Sequence, residues 1–337
     1  MTLVLDKFRN LLPTTKTNPS GWTSFNAPCC HNRGHSKDTR ERAGVMFSDG
    51  IVYNCFNCKY IVTWHPGWHI SEKFKSLCRW LGANDREINE LIFEALKTES
   101  IDYIPSAIQS QVKFDPKELP NESLPLSTWI SMQGSEYEAN ILAVTQYLLD
   151  RGCDPLSEQF YWSPIAGYDN RVIIPFTYQG QIVGNTARKI VNGRPKYLSD
   201  QPPNFVFNMD QQDYKNRYIF VTEGPFDAIS IGGVALLTNN LSDQQARMIN
   251  NLGKEVIVVP DQDTAGLQLI LKAIEYNWSV AFPTWSDDIK DPADAVLKYG
   301  KLFVLVDIIQ TAQTGHIKIQ MAMKQLQQRI KMYEENT

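Results

Sequence analysis

The sequence predicts an α/β protein in which a parallel sheet follows a small metal-stabilised β domain. Three observations carry that expectation. The first is Tyr218-Ile-Phe-Val-Thr-Glu223-Gly-Pro-Phe-Asp227, a short apolar run that ends in acids and then opens a helix. Pro225 suits a first helical turn, where a missing N–H costs nothing. The second is Glu255-Val-Ile-Val-Val-Pro260-Asp261-Gln-Asp263-Thr-Ala-Gly266, again an apolar run, then acids, then a Leu/Ile-rich helix. Strand–helix–strand at this spacing is a βαβ unit with a parallel sheet. The third is Cys55-Phe-Asn-Cys58, with Cys29, Cys30, His31 and His35 one hairpin upstream.

Length and composition bound the reading. A chain of 337 residues has room for two or three domains with their own cores. Its 43% apolar and 21% charged residues are those of a globular protein. No apolar run is long enough to span a bilayer and no export signal precedes the first domain, so a cytoplasmic location without membrane attachment is expected. Six cysteines in that compartment read as metal ligands or buried thiols before disulfides. The net charge of −4 gives no blanket nucleic-acid signature, but the charge is uneven. Residues 1–80 hold eleven Lys/Arg against five Asp/Glu, whereas residues 81–140 hold four against eleven.

Six segments follow in order. Residues 1–70 read as a β domain stapled by metal, with a hairpin of Val45-Met-Phe, a Ser-Asp-Gly turn and Ile51-Val-Tyr leading into the Cys-x-x-Cys knuckle. Arg33, Lys37, Arg40 and Arg42 lie between the cysteine pairs, interleaved with Trp22, Phe25, Phe47, Tyr53 and Phe56. Cations among aromatics suit single-stranded nucleic acid; for the rings alone a small aromatic core is the better explanation, and for the basic loop a solvated loop explains the charges equally well. Residues 71–100 read as helices with Ile88, Leu91, Ile92 and Leu96 on one face. Four prolines break all periodicity across residues 101–127, which predicts a linker. Residues 128–217 read as an α+β subdomain whose hairpin, Arg171-Val-Ile-Ile-Pro-Phe-Thr-Tyr-Gln179-Gly180 onward, leads to Arg188, Lys189, Arg194 and Lys196. Residues 218–300 hold the parallel sheet, and residues 301–337 a helical tail with Ile319, Met323, Leu326 and Ile330 at helical spacing.

Both acidic clusters fall at the carboxyl ends of strands, where open α/β sheets bind ligands. For one acid after a strand, a helix cap or a turn is the simpler reading. Glu-Gly-x-x-Asp followed by Asp-x-Asp-x-x-Gly on consecutive strands favours a cation, because the carboxylates otherwise repel one another. Five Lys/Arg against one Asp between Arg171 and Asp200 put the opposite sign beside them, as triphosphate binding needs.

The acidic pattern resembles the Toprim fold shared by bacterial-type primases, topoisomerases and some nucleases. Lys290-Asp291-Pro-Ala-Asp294 is similar to the segment that follows the Toprim core in primases. The Gly-x-x-x-Arg and Lys-Tyr-Leu of residues 184–198 are similar to the nucleotide- and template-contacting subdomain before it. Residues 1–70 resemble the zinc ribbon of bacterial and phage primases, whose first knuckle usually reads Cys-Pro-x-Cys or Cys-Pro-x-His; Ala27 stands at its first position here. That resemblance implies Cys30, Cys55 and Cys58 as Zn²⁺ ligands. Cys29, His31 and His35 are candidates for the fourth; adjacent thiols rarely both reach one ion, which favours a histidine, and the longer loop favours His35.

Together these resemblances imply a DNA primase, joining ribonucleoside triphosphates into a short primer on a single-stranded DNA template. Two divalent ions, Mg²⁺ or Mn²⁺, would be held by Glu223, Asp261 and Asp263, with Asp227 and Asp291 in support. Arg171, Arg188, Lys189 and Lys196 would bind triphosphate and template. A Toprim nuclease and a non-catalytic nucleic-acid-binding protein are the alternatives. The sequence contains no Gly-x-x-x-x-Gly-Lys-Ser/Thr, so a separate replicative helicase is expected. The compact size looks like that of a bacteriophage primase.

Overall fold

The computed structural model describes residues 3–13, 17–98, 112–132, 134, 136–213, 216–238, 241–286 and 288–336. An amphipathic helix α1 (Leu3–Leu11) comes first. It is followed by β1 (Trp22–Phe25), a short helix α2 (Pro28–Asn32), β2 (Ala43–Phe47), β3 (Ile51–Cys55) and β4 (Ile61–Trp64). These strands form an antiparallel sheet in the order β1-β2-β3-β4. Phe47 faces Ile51 across the expected hairpin and Val45 faces Tyr53. Helices α3 (Glu72–Trp80) and α4 (Asp85–Leu96) begin at side-chain caps, Ser71 and an Asn84/Glu87 capping box. Their Phe74, Leu77, Ile88 and Leu91 share one core with Phe8, Phe25, Tyr53 and Trp64. The ribbon and the helical segment, read as separate from the sequence, are thus packed as a single unit.

Where the structure describes the segment expected to be a linker, it is packed on the following domain. Residues 101–111 lie outside the described residues. From Val112 the chain is already attached: Val112 and Phe114 pack on the core of the following domain, and the Lys117 amide donates to the Ile182 carbonyl at 2.9 Å. Leu124–Pro125 then forms strand β5, and α5 (Leu126–Ser131) follows directly, so residues 124–127 belong to regular elements and not to a tether.

Helix α6 (Glu138–Asp150) leads to β6 (Tyr161–Trp162), β7 (Arg171–Tyr178), β8 (Gln181–Lys189) and β9 (Tyr197–Asp200), an antiparallel sheet with β5 at its edge. The β7–β8 hairpin turns at Gln179 and Gly180, both with positive φ, as a tight hairpin matched to strand twist requires. The second sheet is parallel. Strand β10 (Tyr218–Thr222), helix α7 (Pro225–Ile231), β11 (Val234–Ala235), α8 (Asp243–Asn250), β12 (Glu255–Val258), α9 (Gly266–Glu275) and β13 (Ser279–Val280) give the strand order β11-β10-β12-β13. Helices α10 (Pro292–Tyr299), α11 (Lys301–Thr311) and α12 (His316–Asn336) complete the chain.

One hydrophobic core runs beneath both sheets, joining Trp162, Ile174 and Phe176 to Val221, Val258 and Leu269. Ile319 and Leu326 of α12 are buried in it, with Met323 and Ile330 against its edge, so the expected apolar stripe docks on its own domain. A separate cluster of Phe220, Ile257, Trp285, Val304 and Ile308 covers the other face of the parallel sheet. The amino-terminal unit contacts α8 and α9 through polar groups: Lys59 pairs with Asp243 at 3.0 Å and Glu275 at 2.5 Å, and Arg33 donates to the Glu275 carbonyl at 3.1 Å.

Candidate functional sites

The cysteine cluster is built by α2 and the turn between β3 and β4. Cys29, Cys30, Cys55 and Cys58 are all buried and all reduced, with the four sulfurs within 4.8 Å of one another. Cys29 Sγ lies 3.3 Å from Cys58 Sγ and Cys30 Sγ 3.6 Å from Cys55 Sγ. Four thiolates about 2.3 Å from a tetrahedral zinc stand ~3.8 Å apart, so the spacing fits a metal and is far too long for a disulfide. Supporting groups are in place: Asn57 Nδ2 donates to Cys30 Sγ at 3.2 Å, and the Tyr53 hydroxyl is 3.1 Å from Cys29 Sγ. Hydrogen bonds from the neighbouring thiols Cys29 and Cys55 hold the Cys58 thiol far below its usual range, and the Arg33 charge adds to this.

The fourth position is therefore a correction to the expected histidine. Pro28 starts a helix, and consecutive residues on a helix diverge by about 100°, which lets Cys29 and Cys30 straddle a single point. His31 and His35 are exposed outside the cluster. Of the aromatics near the knuckles, Phe25 and Tyr53 are core residues, whereas Phe56 is 70% exposed within the second knuckle.

The acidic cluster forms where β10 and β12 end. Glu223, Asp227, Asp261 and Asp291 line a cavity of about 380 Å³. Glu223 does not cap α7, because Gly224 takes that position without a side-chain bond. A Cβ on Gly224 would stand 2.6 Å from Asp227 Oδ2, so a side chain there would displace this carboxylate. Gly266 is constrained in the same way: its Cβ would meet the Asp261 carbonyl at 2.1 Å as the loop folds back onto α9.

Two oxygens in this cluster, Glu223 Oε1 and Asp261 Oδ1, are buried without any hydrogen-bond partner. Burial pushes the Asp261 carboxyl up to about 9, with Asp227, Glu223, Asp291 and Asp263 adding to the shift. Burial and then Asp291 push Asp227 up to about 7, and burial followed by Asp263 raises Glu223. Asp263 does not line the cavity; its Oδ1 accepts the Gly266 amide at 3.0 Å, the role of an ordinary turn residue. Asp291 caps α10 by accepting the Asp294 amide at 2.8 Å while also facing the cavity. Unpaired carboxylate oxygens that repel one another and protonate rather than find a donor fit a divalent cation of the Mg²⁺ or Mn²⁺ type.

The opposite wall is cationic. Arg188 and Lys196 line the cavity together with Arg151, which follows the last turn of α6 and is not among the cations that the sequence pattern singles out. Among the described residues none of the three forms an ion pair with a carboxylate. Arg188 is oriented by the Tyr147 hydroxyl, to which its Nε donates at 3.0 Å, and it stacks 4.8 Å from the centre of Tyr197. Lys196 is lowered, first by the Arg188 charge and then by burial. Two of the expected cations lie elsewhere. Arg171 is 5% exposed and its guanidinium is consumed by the carbonyls of Gly167, Ala187, Pro195 and Lys196, so it fixes the loop that carries Lys196 without facing the cavity. Lys189 follows Arg188 on β8 and points to the other face, as strand alternation demands.

Residues 220–296 match the family described as Toprim-like. The DNA primase of Clostridium acetobutylicum is 31% identical over 153 residues, 40% of this chain and 26% of that protein. The DNA primase of Thermotoga maritima is 30% identical over 154 residues, 40% and 27%. The chain thus aligns with about a quarter of the length of these relatives, and the matched stretch is homologous to theirs. Among solved structures, the zinc-binding and RNA polymerase domains of Aquifex aeolicus primase overlap with a TM-score of 0.39 at 20% identity, over 98% of this chain and 89% of that one. The primase fragment of the bacteriophage T7 primase-helicase gives 0.35 at 14%, over 80% and 95%. Overlaps at that level do not align individual residues.

Proposed function

We propose that this chain is a DNA primase: a nucleotidyltransferase that joins ribonucleoside triphosphates on a single-stranded DNA template. The observation that carries the reading is the cavity of about 380 Å³ with Glu223, Asp227 and Asp261 on one wall and Arg151, Arg188 and Lys196 on the other. Homology of the acidic half to DNA primases supports it.

Glu223 and Asp261 would hold the divalent ion, Mg²⁺ or Mn²⁺, through the oxygens that have no other partner, with Asp227 and Asp291 behind them. Such an ion, once bound, would supply Lewis-acid activation of the attacking hydroxyl and neutralise charge on the leaving pyrophosphate. The chain's own contribution is positional. Arg188, held by Tyr147 and Tyr197, and Lys196, held by the Arg171-bound loop, would fix the triphosphate. Arg151 would meet the same anion from the end of α6. Among the described residues none of the three basic side chains forms an ion pair with a carboxylate, which would leave the acids to the metal and the cations to the phosphates. The four thiols would hold a structural Zn²⁺, with exposed Phe56, Lys37 and Arg40 placed to meet the template strand, while Arg33 and Arg42 are engaged by Glu275 and Asp38.

Incubation with labelled ribonucleoside triphosphates, single-stranded DNA and Mg²⁺ or Mn²⁺ tests this. Short RNA products that disappear in Asp261→Asn support it. Degradation of the DNA without RNA synthesis would instead point to a nuclease, and binding with neither product to a non-catalytic module.

A further inference from the structure

Gln262 separates the two acids of the Asp-x-Asp loop, and it is held from three directions. Its amide donates to the Lys290 carbonyl at 2.8 Å, and its Nε2 donates to the Pro283 carbonyl at 3.2 Å. Its Oε1 accepts a hydrogen bond from the Arg329 guanidinium, which comes from α12, 67 residues further along the chain. Arg329 and Leu326 form the far wall of a groove of about 230 Å³ whose near wall is Pro260, Gln262, Phe282 and Pro283.

The arrangement has a consequence for the acids. Asp261 and Asp263 flank Gln262 directly, so whatever fixes the Gln262 side chain on the α12 side restrains the backbone from which both carboxylates project. The Asp261 carboxylate is short of hydrogen bonds, with Oδ1 buried and unpaired. Its position therefore depends on the backbone more than on its own contacts. Helix α12 is anchored on its domain by buried Ile319 and Leu326. A charged donor at that point on a half-buried helix face is better explained by what it holds.

We infer that Arg329 is a positioning residue: through Gln262 it sets the loop that carries Asp261, and so couples the docking of α12 to the divalent-cation affinity of the acidic cluster. This rests on the proposal that the cluster binds a divalent ion, and it goes beyond it by bringing in a helix that does not line the cavity.

Mn²⁺ titration of the full chain, followed by the electron paramagnetic resonance signal of free Mn²⁺, tests it without recourse to activity. Partners that orient metal ligands typically change affinity about 10- to 100-fold, and Arg329 acts one residue further out, so Arg329→Ala is expected to weaken Mn²⁺ binding by about tenfold. Gln262→Ala should give a similar loss, and the double variant should be no worse than either single one, because both break the same link. Arg329→Lys, which keeps a donor and the charge, should recover part of the affinity, whereas Arg329→Met, which keeps the stem alone, should not. Should Arg329→Ala fold poorly, Gln262→Ala on an intact α12 still reports on the link. Binding within twofold of wild type in both single variants, or fully additive losses in the double, would overturn the inference. If wild type itself bound no Mn²⁺, or bound it unchanged after Asp261→Asn, the metal-site reading would fall and the inference with it.

Discussion

The two candidate metal sites differ in how far the chain has completed them. The four thiols lie within 4.8 Å of one another, are buried, and have an amide and a hydroxyl already placed on the sulfurs. Among the described residues, no three of the cavity's carboxylates are gathered to that spacing. They hold two unpaired buried oxygens and carboxyl groups pushed toward protonation. A closed set of four like ligands is how structural metal is held, whereas an open, strained set facing a cavity leaves coordination positions for substrate. Stability is therefore expected to reside in the first site and reactivity in the second.

Substitutions should separate the two. The largest effect is expected from Asp261→Asn, with primer synthesis falling by more than about a hundredfold, beyond what outer partners of a metal usually cost. Its zinc content and fold should be unchanged, checked by metal analysis and circular dichroism. Cys29→Ala or Cys58→Ala should do the reverse, releasing the zinc and lowering the unfolding temperature of the amino-terminal unit while leaving Mn²⁺ binding to the acids intact. His35→Ala should retain zinc at the wild-type level. If His35→Ala loses the metal and Cys29→Ala keeps it, the four-thiol assignment is wrong.

On the cationic wall, Arg151→Ala, Arg188→Ala and Lys196→Ala should each weaken nucleotide binding by about 1.5–3 kcal/mol, roughly ten- to a hundredfold, with fluorescent nucleotide titration as the readout. Lys189→Ala should bind normally. Arg171→Ala should be found mainly in the denaturation curve, since it removes the guanidinium that ties together four carbonyls, that of Ala187 among them buried. Equal losses in nucleotide affinity at Lys189 and Arg188 would show that the face assignment of β8 is wrong.

The last comparison concerns pH. Without a divalent ion, Asp227 and Asp261 take up protons more readily in the folded than in the unfolded chain, titrating near 7 and 9 instead of near 4. Groups raised in this way stabilise the fold at low pH, and that contribution is lost as pH rises through the folded values. In chelator, the melting temperature should fall between about pH 4 and 9, by about 2–4 °C per kcal/mol lost. Mg²⁺ should restore it, and Asp261→Asn should flatten the slope. A flat profile in wild type would mean that the acids are not coupled as described.

Much of this was legible in the residues. The apolar runs that end at Glu223 and Asp261 are short and rich in β-branched residues, so period and length both pointed to buried parallel strands. Gln179-Gly180 marked its own hairpin. The acids were found because a strand end fixes where the next residues must lie. The cations were harder, for a physical reason: charge in a sequence does not reveal which guanidinium is buried. Arg171 looked as available as Arg188 until four carbonyls were seen around it. Arg151 had no neighbour in sequence to mark it, and only the packing of α6 brings it to the cavity. Val112 and Phe114, isolated among prolines and polar residues, gave no periodicity, so their anchoring could not be read. Pro28 did carry a signal for the cysteine pair, since a helix beginning there separates the two thiols.

The most direct measurement is a crystal grown with Mn²⁺ and a non-hydrolysable ribonucleoside triphosphate, with anomalous data collected at the zinc and manganese edges. The zinc signal is expected among Cys29, Cys30, Cys55 and Cys58. The manganese signal is expected against Glu223 and Asp261, about 2.0–2.2 Å from the carboxylate oxygens as for other small hard cations, with the triphosphate touching Arg188 and Lys196. Manganese found only on exposed acids, or a triphosphate bound away from Arg188 and Lys196, would contradict it.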